Sequence, residues 1–189
     1  MLPLLLACAH EPPSPPSLPI VGAEVLWYDL TGADRIDLIQ SCADTCPRDE
    51  ADRPVASLTL WAVDWTWQRP PTEPCEVRNV AVAVDTTVTL PRWSPPPEAD
   101  PALVDEWRAY LTALALHEQG HVDLAHELAA DSEAALTSAG CAGAHAAGRE
   151  VLDRLGEAQH AYDAATDSGR RQGADFWKVG GRASLASTR

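Results

Sequence analysis

Two histidines and a glutamate occur close together in the stretch His117-Glu118-Gln119-Gly120-His121. Residues four apart on a helix project from the same side, so both imidazoles can bind one metal ion. The glutamate that follows the first histidine can reach the water that such an ion activates and can act as general base. The spacing therefore predicts a hydrolase site with His117 and His121 as metal ligands, Glu118 as catalytic base and zinc as cofactor.

The motif lies on the apolar face of a long predicted helix. Asp100-Pro101 supplies an N-cap and a first-turn proline, and Ala139-Gly140-Cys141 is a stop signal. Burying two histidines and a glutamate on such a face costs free energy unless these side chains bind a ligand or are fully hydrogen-bonded. We therefore predict a metal site, and the alternative is a core that contains hydrogen-bonded histidines. The apolar residues at helical spacing are Leu103, Trp107, Tyr110, Leu111, Leu114, Leu124, Ala125 and Leu128.

The segments before this helix predict a small sheet. Residues 24–30 favour a strand, and apolar residues at helical spacing predict a helix over residues 31–40. Residues 55–67 are rich in β-branched and aromatic residues, and residues 77–90 alternate, with their apolar side chains on one face. The proline-rich segment 70–74 between these two strands favours an antiparallel pairing.

A second helical pattern follows the stop signal, over about residues 144–165, with Tyr162 on its inner face. We therefore predict an α+β fold: a small antiparallel sheet of long strands packed on two long C-terminal helices, with a zincin-like active-site helix. The 189 residues and the 46% hydrophobic composition suit one such domain. We place this domain at residues 23–177 and a flexible tail at residues 178–189.

The N-terminus has features of a lipoprotein. Leu5-Leu6-Ala7-Cys8 is similar to a lipobox, whose cysteine is lipidated, and the Pro/Ser-rich residues 9–22 suit a tether. Only seven residues, none of them Lys or Arg, precede Cys8, so we expect the export signal to begin upstream of Met1. These features predict a cell-envelope lipoprotein, periplasmic or anchored to the outer membrane, that is held at the membrane through Cys8. The alternative is an N-terminus that is apolar by chance.

The cysteine count agrees with an exported protein. Lipidation of Cys8 leaves four cysteines, an even set that suits two disulfides, and sequence alone permits three pairings. We prefer Cys42 with Cys46, which closes a small loop, and Cys75 with Cys141, which ties the strand half to the helical half. The alternative is a four-cysteine metal site, although Cys75 and Cys141 lack the close partners that structural zinc sites usually have.

The overall charge argues against one class of partner. The formal net charge is −14 and the pI is near 4.6. Nucleic-acid affinity depends on Lys and Arg side chains that displace counterions from phosphates. We therefore expect no nucleic-acid binding. The zinc-protease motif predicts a peptide or protein substrate instead.

A series of short motifs, taken in order from about Trp27 to Trp177, resembles a bacterial family of predicted secreted zinc-dependent proteases, domain of unknown function 922. The resemblance implies an exported α+β protein that is zincin-like, with predicted peptidase activity. The motifs are Tyr28-Asp29-Leu30-Thr31-Gly32, Trp65-Thr66-Trp67, Cys75-Glu76-Val77, Leu90-Pro91-Arg92-Trp93, Trp107-Arg108-Ala109-Tyr110, His117-Glu118-Gln119-Gly120-His121, Cys141, Tyr162-Asp163-Ala164-Ala165-Thr166-Asp167-Ser168-Gly169 and Gln172-Gly173.

One departure from the family pattern concerns the third metal ligand. The family's terminal motif reads Tyr-Asp-x-x-Thr-x-His-Gly, and this chain has Ser168 in place of that histidine. Catalytic zinc usually has three protein ligands and an open position for water. We predict Asp163, which the family motif contains, as the third ligand, with nearby His160 as the alternative. Glu127 has the spacing of a metzincin third ligand but lacks the glycine that would turn the chain there.

These observations predict an envelope-anchored zinc metallopeptidase. Tyr162 is a candidate donor to the developing oxyanion, with packing as the alternative role, and the strand over residues 55–67 offers an edge to an extended peptide. The competing hypothesis is a degenerate relative that uses the same fold as a binding or scaffolding lipoprotein. His126 and His145 fall outside the motif, and we expect them at the surface.

Overall fold

A computed structural model describes residue 18 and residues 20–71, 75–179 and 182–183. The predicted lipobox lies outside the described residues. The elements in chain order are β1 (Glu24–Leu30), α1 (Arg35–Thr45), β2 (Leu58–Gln68), β3 (Arg78–Trp93), α2 (Pro101–Thr166), a 3-10 turn (Arg170–Gln172), β4 (Lys178–Val179) and β5 (Arg182–Ala183). This is an α+β fold, as the sequence predicts. Within the described part of the chain, no helix combines the length and the hydropathy that crossing a membrane requires.

The sheet is mixed, whereas the sequence analysis predicted an antiparallel sheet. Its strand order is β1-β3-β2, with β2 antiparallel and β1 parallel to the central strand β3. The parallel pairing arises because the chain passes through α1 and β2 before it returns as β3 beside β1. An alternating pattern identifies a strand but carries no information about its neighbour.

One face of this sheet supplies the core, as the alternation of β3 predicts. Val88 and Leu90 are fully buried, and Val63 of β2 packs with Ala125 and Leu155 of α2. The outward residues of β2 and β3 are mostly exposed. One side of the sheet is therefore covered by α2.

Helix α1 begins later than predicted, at Arg35 instead of Thr31. The side chain of Asp34 accepts hydrogen bonds from the backbone N–H groups of Ile36 and Asp37, which makes it the N-cap. A disulfide between Cys42 and Cys46 closes the C-terminal end of this helix. This pairing is the one that the sequence analysis preferred.

Helix α2 is a hairpin of two helical arms. Gly140 has φ 64° and ψ 176°, which are not helical values, and it separates a first arm (residues 101–139) from a second arm (residues 141–166). Only glycine adopts such a conformation readily, so the predicted break lies where the chain reverses. The second predicted disulfide, Cys75–Cys141, is also present and ties the turn to the segment before β3.

An aromatic cluster fixes the chain after the hairpin. The rings of Phe176 and Trp177 pack edge-on against Trp107, and the indole N–H of Trp177 donates to Tyr110 Oη at 2.7 Å. The segment after the 3-10 turn is therefore held against the first arm of α2. The strands β4 and β5 then pair within the predicted tail.

The described part of the predicted tether also contacts the domain. The backbone N–H of Val21 donates to Gln119 Oε1 at 2.7 Å, and Gln119 Nε2 donates back to the carbonyl of Val21 at 3.2 Å. Ile20 packs against the core. Contacts with the domain therefore begin before residue 23.

Candidate metal centre

Three potential ligand atoms meet between the two arms of α2. The Nε2 atoms of His117 and His121 are 3.3 Å apart, and Asp163 Oδ1 lies 3.2 Å from each of them. The first arm supplies both imidazoles and the second arm supplies the carboxylate. The hairpin thus brings together the three residues that the sequence analysis selected as ligands.

The three side chains differ in exposure. His117 and His121 are buried, whereas 42% of the Asp163 side chain is exposed. The imidazoles are thereby shielded from water, and the carboxylate borders solvent. A small molecule can therefore approach the cluster from the side of Asp163.

The ionisation of the cluster reflects this environment. Burial opposes ionisation of Asp163, but hydrogen bonding to His117 and His121 outweighs it and holds the pKa of the carboxyl well below its usual range. Burial likewise disfavours the charged form of His121, yet the hydrogen bond to Asp163 and the nearby charge of Glu118 raise the pKa of this imidazole. Asp163 and His121 therefore stabilise each other's charged forms.

Two glutamine amides contact the remaining imidazole nitrogens. Gln159 Oε1 lies 2.5 Å from Nδ1 of His121, and Gln172 Oε1 lies 2.9 Å from Nδ1 of His117. The nitrogen of each amide donates elsewhere: that of Gln159 to the backbone carbonyl of His121, and that of Gln172 to Tyr162 Oη, both at 3.0 Å. Each imidazole is thus held at the nitrogen that points away from Asp163.

The ring of Tyr162 contacts both imidazoles. It stacks on His117 with ring centroids 5.1 Å apart and planes 11° apart, and it meets His121 edge-on at 4.9 Å. Its hydroxyl donates to the backbone carbonyl of His117 at 3.3 Å. A Cβ at Gly120 would lie 2.2 Å from Tyr162 Oη, so only glycine leaves room for this ring.

A left-handed turn after α2 closes the site behind His117. Ser168 and Gly169 have φ of 49° and 78°, and a Cβ on Gly169 would lie 3.0 Å from Cγ of His117. Glycine is therefore required at position 169 by both its conformation and its neighbour. Ser168, where the resemblance led us to expect a histidine, is exposed.

Glu118 is hydrogen-bonded to residues at the start of β2. It is only 3% exposed, and its two carboxylate oxygens accept hydrogen bonds from Ser57 Oγ at 2.5 Å and from Thr59 Oγ1 at 2.6 Å. These hydroxyls satisfy a carboxylate that would otherwise be costly to bury.

The sequence of this fold matches one family. Residues 25–170 match the profile of a bacterial protein family of unknown function, DUF922. The chain belongs to this family. Comparison with curated proteins and with solved structures found no match. The matched part of the DUF922 chain includes all three ligand candidates and Glu118, and ends before Gln172.

The other candidates from the sequence lie apart from the cluster of this DUF922 chain. His160, the alternative third ligand, is exposed, and so is Glu127. His145 is exposed and packs its ring against Trp67, and His126 contacts the backbone carbonyl of Gly22 at 2.9 Å.

Four contacts of the site were not predicted from the sequence: Gln159, Gln172, Ser57 and Thr59. One signal was present for Gln159, which precedes Asp163 by one helical turn and so shares its face. Gln172 belongs to the last family motif but carries no local signal for a histidine partner. Ser57 directly precedes β2 and Thr59 is its second residue, so both reach the same carboxylate.

Proposed function

We propose that this DUF922 protein is a zinc-dependent metallopeptidase in which His117, His121 and Asp163 hold the metal ion. The observation that carries the proposal is the mutual distance of 3.2–3.3 Å among the three ligand atoms. Tetrahedral zinc with bonds of about 2.0–2.2 Å sets neighbouring ligand atoms about 3.3–3.5 Å apart. The cluster therefore has the spacing of a tetrahedral site that has three protein ligands.

The chemistry of the three atoms also suits zinc. Imidazole nitrogen and carboxylate oxygen are common zinc ligands, and three protein ligands leave a fourth position open. A divalent ion can contact both Nε2 atoms and Asp163 Oδ1 at once, whereas a shared proton bridges only two of these atoms. The exposed side of Asp163 gives the ion and a substrate a route to this point.

Zinc, when bound, lowers the pKa of water to about 7 and polarises a scissile carbonyl. Glu118 then acts as general base, taking a proton from the attacking water and giving it to the leaving amine. Ser57 and Thr59 hold the plane of this carboxylate through short hydrogen bonds. His117, His121 and Asp163 orient the site without taking part in proton transfer.

The oxyanion role of Tyr162 stays a prediction. Its hydroxyl donates to the carbonyl of His117 and accepts from Gln172, which itself contacts Nδ1 of His117. These contacts favour a role for Tyr162 in positioning His117.

An extended peptide is the substrate that the sheet favours. Strand β2 is at the edge of the three-stranded sheet, so one side of its backbone has no partner strand among the described residues. Its first residues are close to Glu118, because Thr59 contacts that carboxylate. A peptide that pairs with this edge would lie beside the catalytic base.

The envelope location is part of the same proposal. The lipobox-like Leu5-Leu6-Ala7-Cys8 would anchor the protein in a membrane, and the two disulfides suit an oxidising compartment. The acidic charge favours partners other than nucleic acids.

The test of the proposal is peptide hydrolysis by the zinc-loaded protein. Glu118→Gln should abolish cleavage of a mixture of unstructured peptides while the protein keeps its zinc, because the amide accepts no proton. Glu127→Gln, an exposed change on the same arm of α2, is the matched control and should cleave like the wild type. Equal cleavage by the Glu118 variant would remove that residue from its role.

One observation favours a second candidate, a binding or scaffolding lipoprotein that has the same fold. Glu118 is buried and both of its oxygens already accept hydrogen bonds, an arrangement that also suits a structural carboxylate. Zinc binding without cleavage of any peptide in the mixture would support this candidate over the peptidase.

A further inference from the structure

We propose that Gln159 is a positioning residue that fixes the tautomer and the orientation of His121. In the neutral ring this leaves the hydrogen on Nδ1 and the lone pair on Nε2, the atom that would bind the metal ion. The inference rests on the proposed metal site, and it extends that site to a residue that contacts neither the ion nor a substrate.

The orientation of the Gln159 amide follows from its backbone partner. The carbonyl oxygen of His121 can only accept a hydrogen bond, and one end of the amide lies 3.0 Å from it. That end must therefore be the NH₂ group, because the amide oxygen donates nothing. The other end, Oε1, consequently faces the imidazole.

The position of the hydrogen on His121 follows from the orientation of the amide. Gln159 Oε1 lies 2.5 Å from Nδ1 of His121 and can only accept. Nδ1 must therefore carry a hydrogen in either charge state of the ring, since two lone pairs at this distance would repel each other. A charged ring carries a second hydrogen on Nε2, which Asp163 accepts and which a metal ion would replace. A neutral imidazole with its hydrogen on Nδ1 has its lone pair on Nε2, the atom 3.2 Å from Asp163 Oδ1.

Gln159 is buried and contacts His121 at two points. Its side chain is only 8% exposed, so little water competes for the imidazole. It contacts the ring and the backbone of the same histidine, which fixes the side-chain rotamer as well as the tautomer. The second arm of α2 thus carries the proposed ligand Asp163. One turn earlier it carries Gln159, which orients His121.

A neutral partner has a further consequence for the ion. Histidine ligands of metals often donate to a carboxylate, which raises the basicity of the ligand. Gln159 gives the same orientation without a second negative charge beside His121. The ion then keeps more of its positive charge for the substrate than it would with a glutamate at this position.

The first measurement is zinc affinity, by competition with a chromophoric chelator. Gln159→Leu should weaken binding about 10- to 100-fold, the usual effect of losing such a partner. Gln159→Glu still accepts from Nδ1 but loses the donor to the carbonyl of His121, so it should bind zinc more tightly than Gln159→Leu. Gln119→Leu, which removes a glutamine that contacts Val21 and Asp123, is the matched control and should leave the affinity unchanged.

The second measurement locates the hydrogen directly. Two-bond nitrogen–proton spectra of the metal-free protein, at a pH at which the rings are neutral, should show the His121 hydrogen on Nδ1. The same result is expected for Gln159→Glu. In Gln159→Leu the hydrogen should move to Nε2, where Asp163 can accept it. A loss of packing alone would not move it.

Each outcome decides the inference. A His121 hydrogen on Nε2 in the metal-free wild type would overturn it, as would an unchanged zinc affinity in folded Gln159→Leu. If Gln159→Leu fails to fold, the spectra of the wild type and of Gln159→Glu decide. If the wild type binds no zinc, the proposed function fails, while a hydrogen on Nδ1 would still support the role of Gln159.

Discussion

Asp163 faces His117 across the helical hairpin, with Oδ1 3.2 Å from Nε2, and the two residues are equally far from Gly140 along the chain. Each arm contributes about 35 Å of helix between that turn and the cluster, at about 1.5 Å per residue. Because the two helical segments are equally long, Asp163 and His117 lie side by side. The geometry of the candidate site thus depends on where the chain reverses.

Removing the carboxylate tests this pairing. Asp163→Ala takes away the contribution of the second arm to the cluster, so zinc affinity should fall by at least about 100-fold, since two imidazoles alone leave the ion underliganded. Titration with a competing chelator measures the change.

His160→Ala is the matched control, because His160 is exposed three residues earlier on the same arm. Its zinc affinity should equal that of the wild type. A weaker affinity for this variant, with Asp163→Ala unaffected, would transfer the third-ligand role to His160.

The hydroxyl partners of Glu118 should contribute to stability. Ser57→Ala and Thr59→Val each remove a hydrogen bond to a buried carboxylate, which should lower the free energy of unfolding by about 1.5–3 kcal/mol. Urea denaturation measures this difference. Thr66→Val, an exposed change on the same strand, should stay within about 0.5 kcal/mol of the wild type.

Two glycines of α2 should respond in opposite directions to alanine. A Cβ at Gly120 would lie 2.2 Å from Tyr162 Oη, so Gly120→Ala must displace the ring and should destabilise the fold by about 1–3 kcal/mol. Gly156 has open space at the same position, so Gly156→Ala should stabilise by about 0.5–1 kcal/mol. Thermal unfolding of both variants checks the contrast, and similar melting temperatures would argue against the close packing of Tyr162.

The two disulfides should differ in their effect on stability. Cys75 and Cys141 are separated by 66 residues, and replacing both by serine should cost about 2–4 kcal/mol, because a long loop is released in the unfolded chain. The same change at Cys42 and Cys46, four residues apart, should cost less. Chemical denaturation under oxidising conditions gives the comparison, and an equal cost would contradict it.

The sequence predicted the features that depend on local pattern. The alternation of β3 identified the buried side of Val88 and Leu90, and the glycine at position 140 marked the turn of the hairpin. The parallel pairing of β1 with β3 was not predicted, because strand neighbours are chosen by contacts between distant segments. Gln159 and Ser57 were missed for the same reason, since a polar residue becomes part of a site only through a partner that the fold supplies.

The most direct test of the central claim is the metal content of the purified protein after exposure to excess zinc and removal of unbound ions. Mass spectrometry of the elements should find one zinc ion per wild-type chain and almost none in His121→Ala, while circular dichroism shows that both are folded. A folded wild type without zinc, or an equal zinc content in the two proteins, would contradict a metal site at His117, His121 and Asp163.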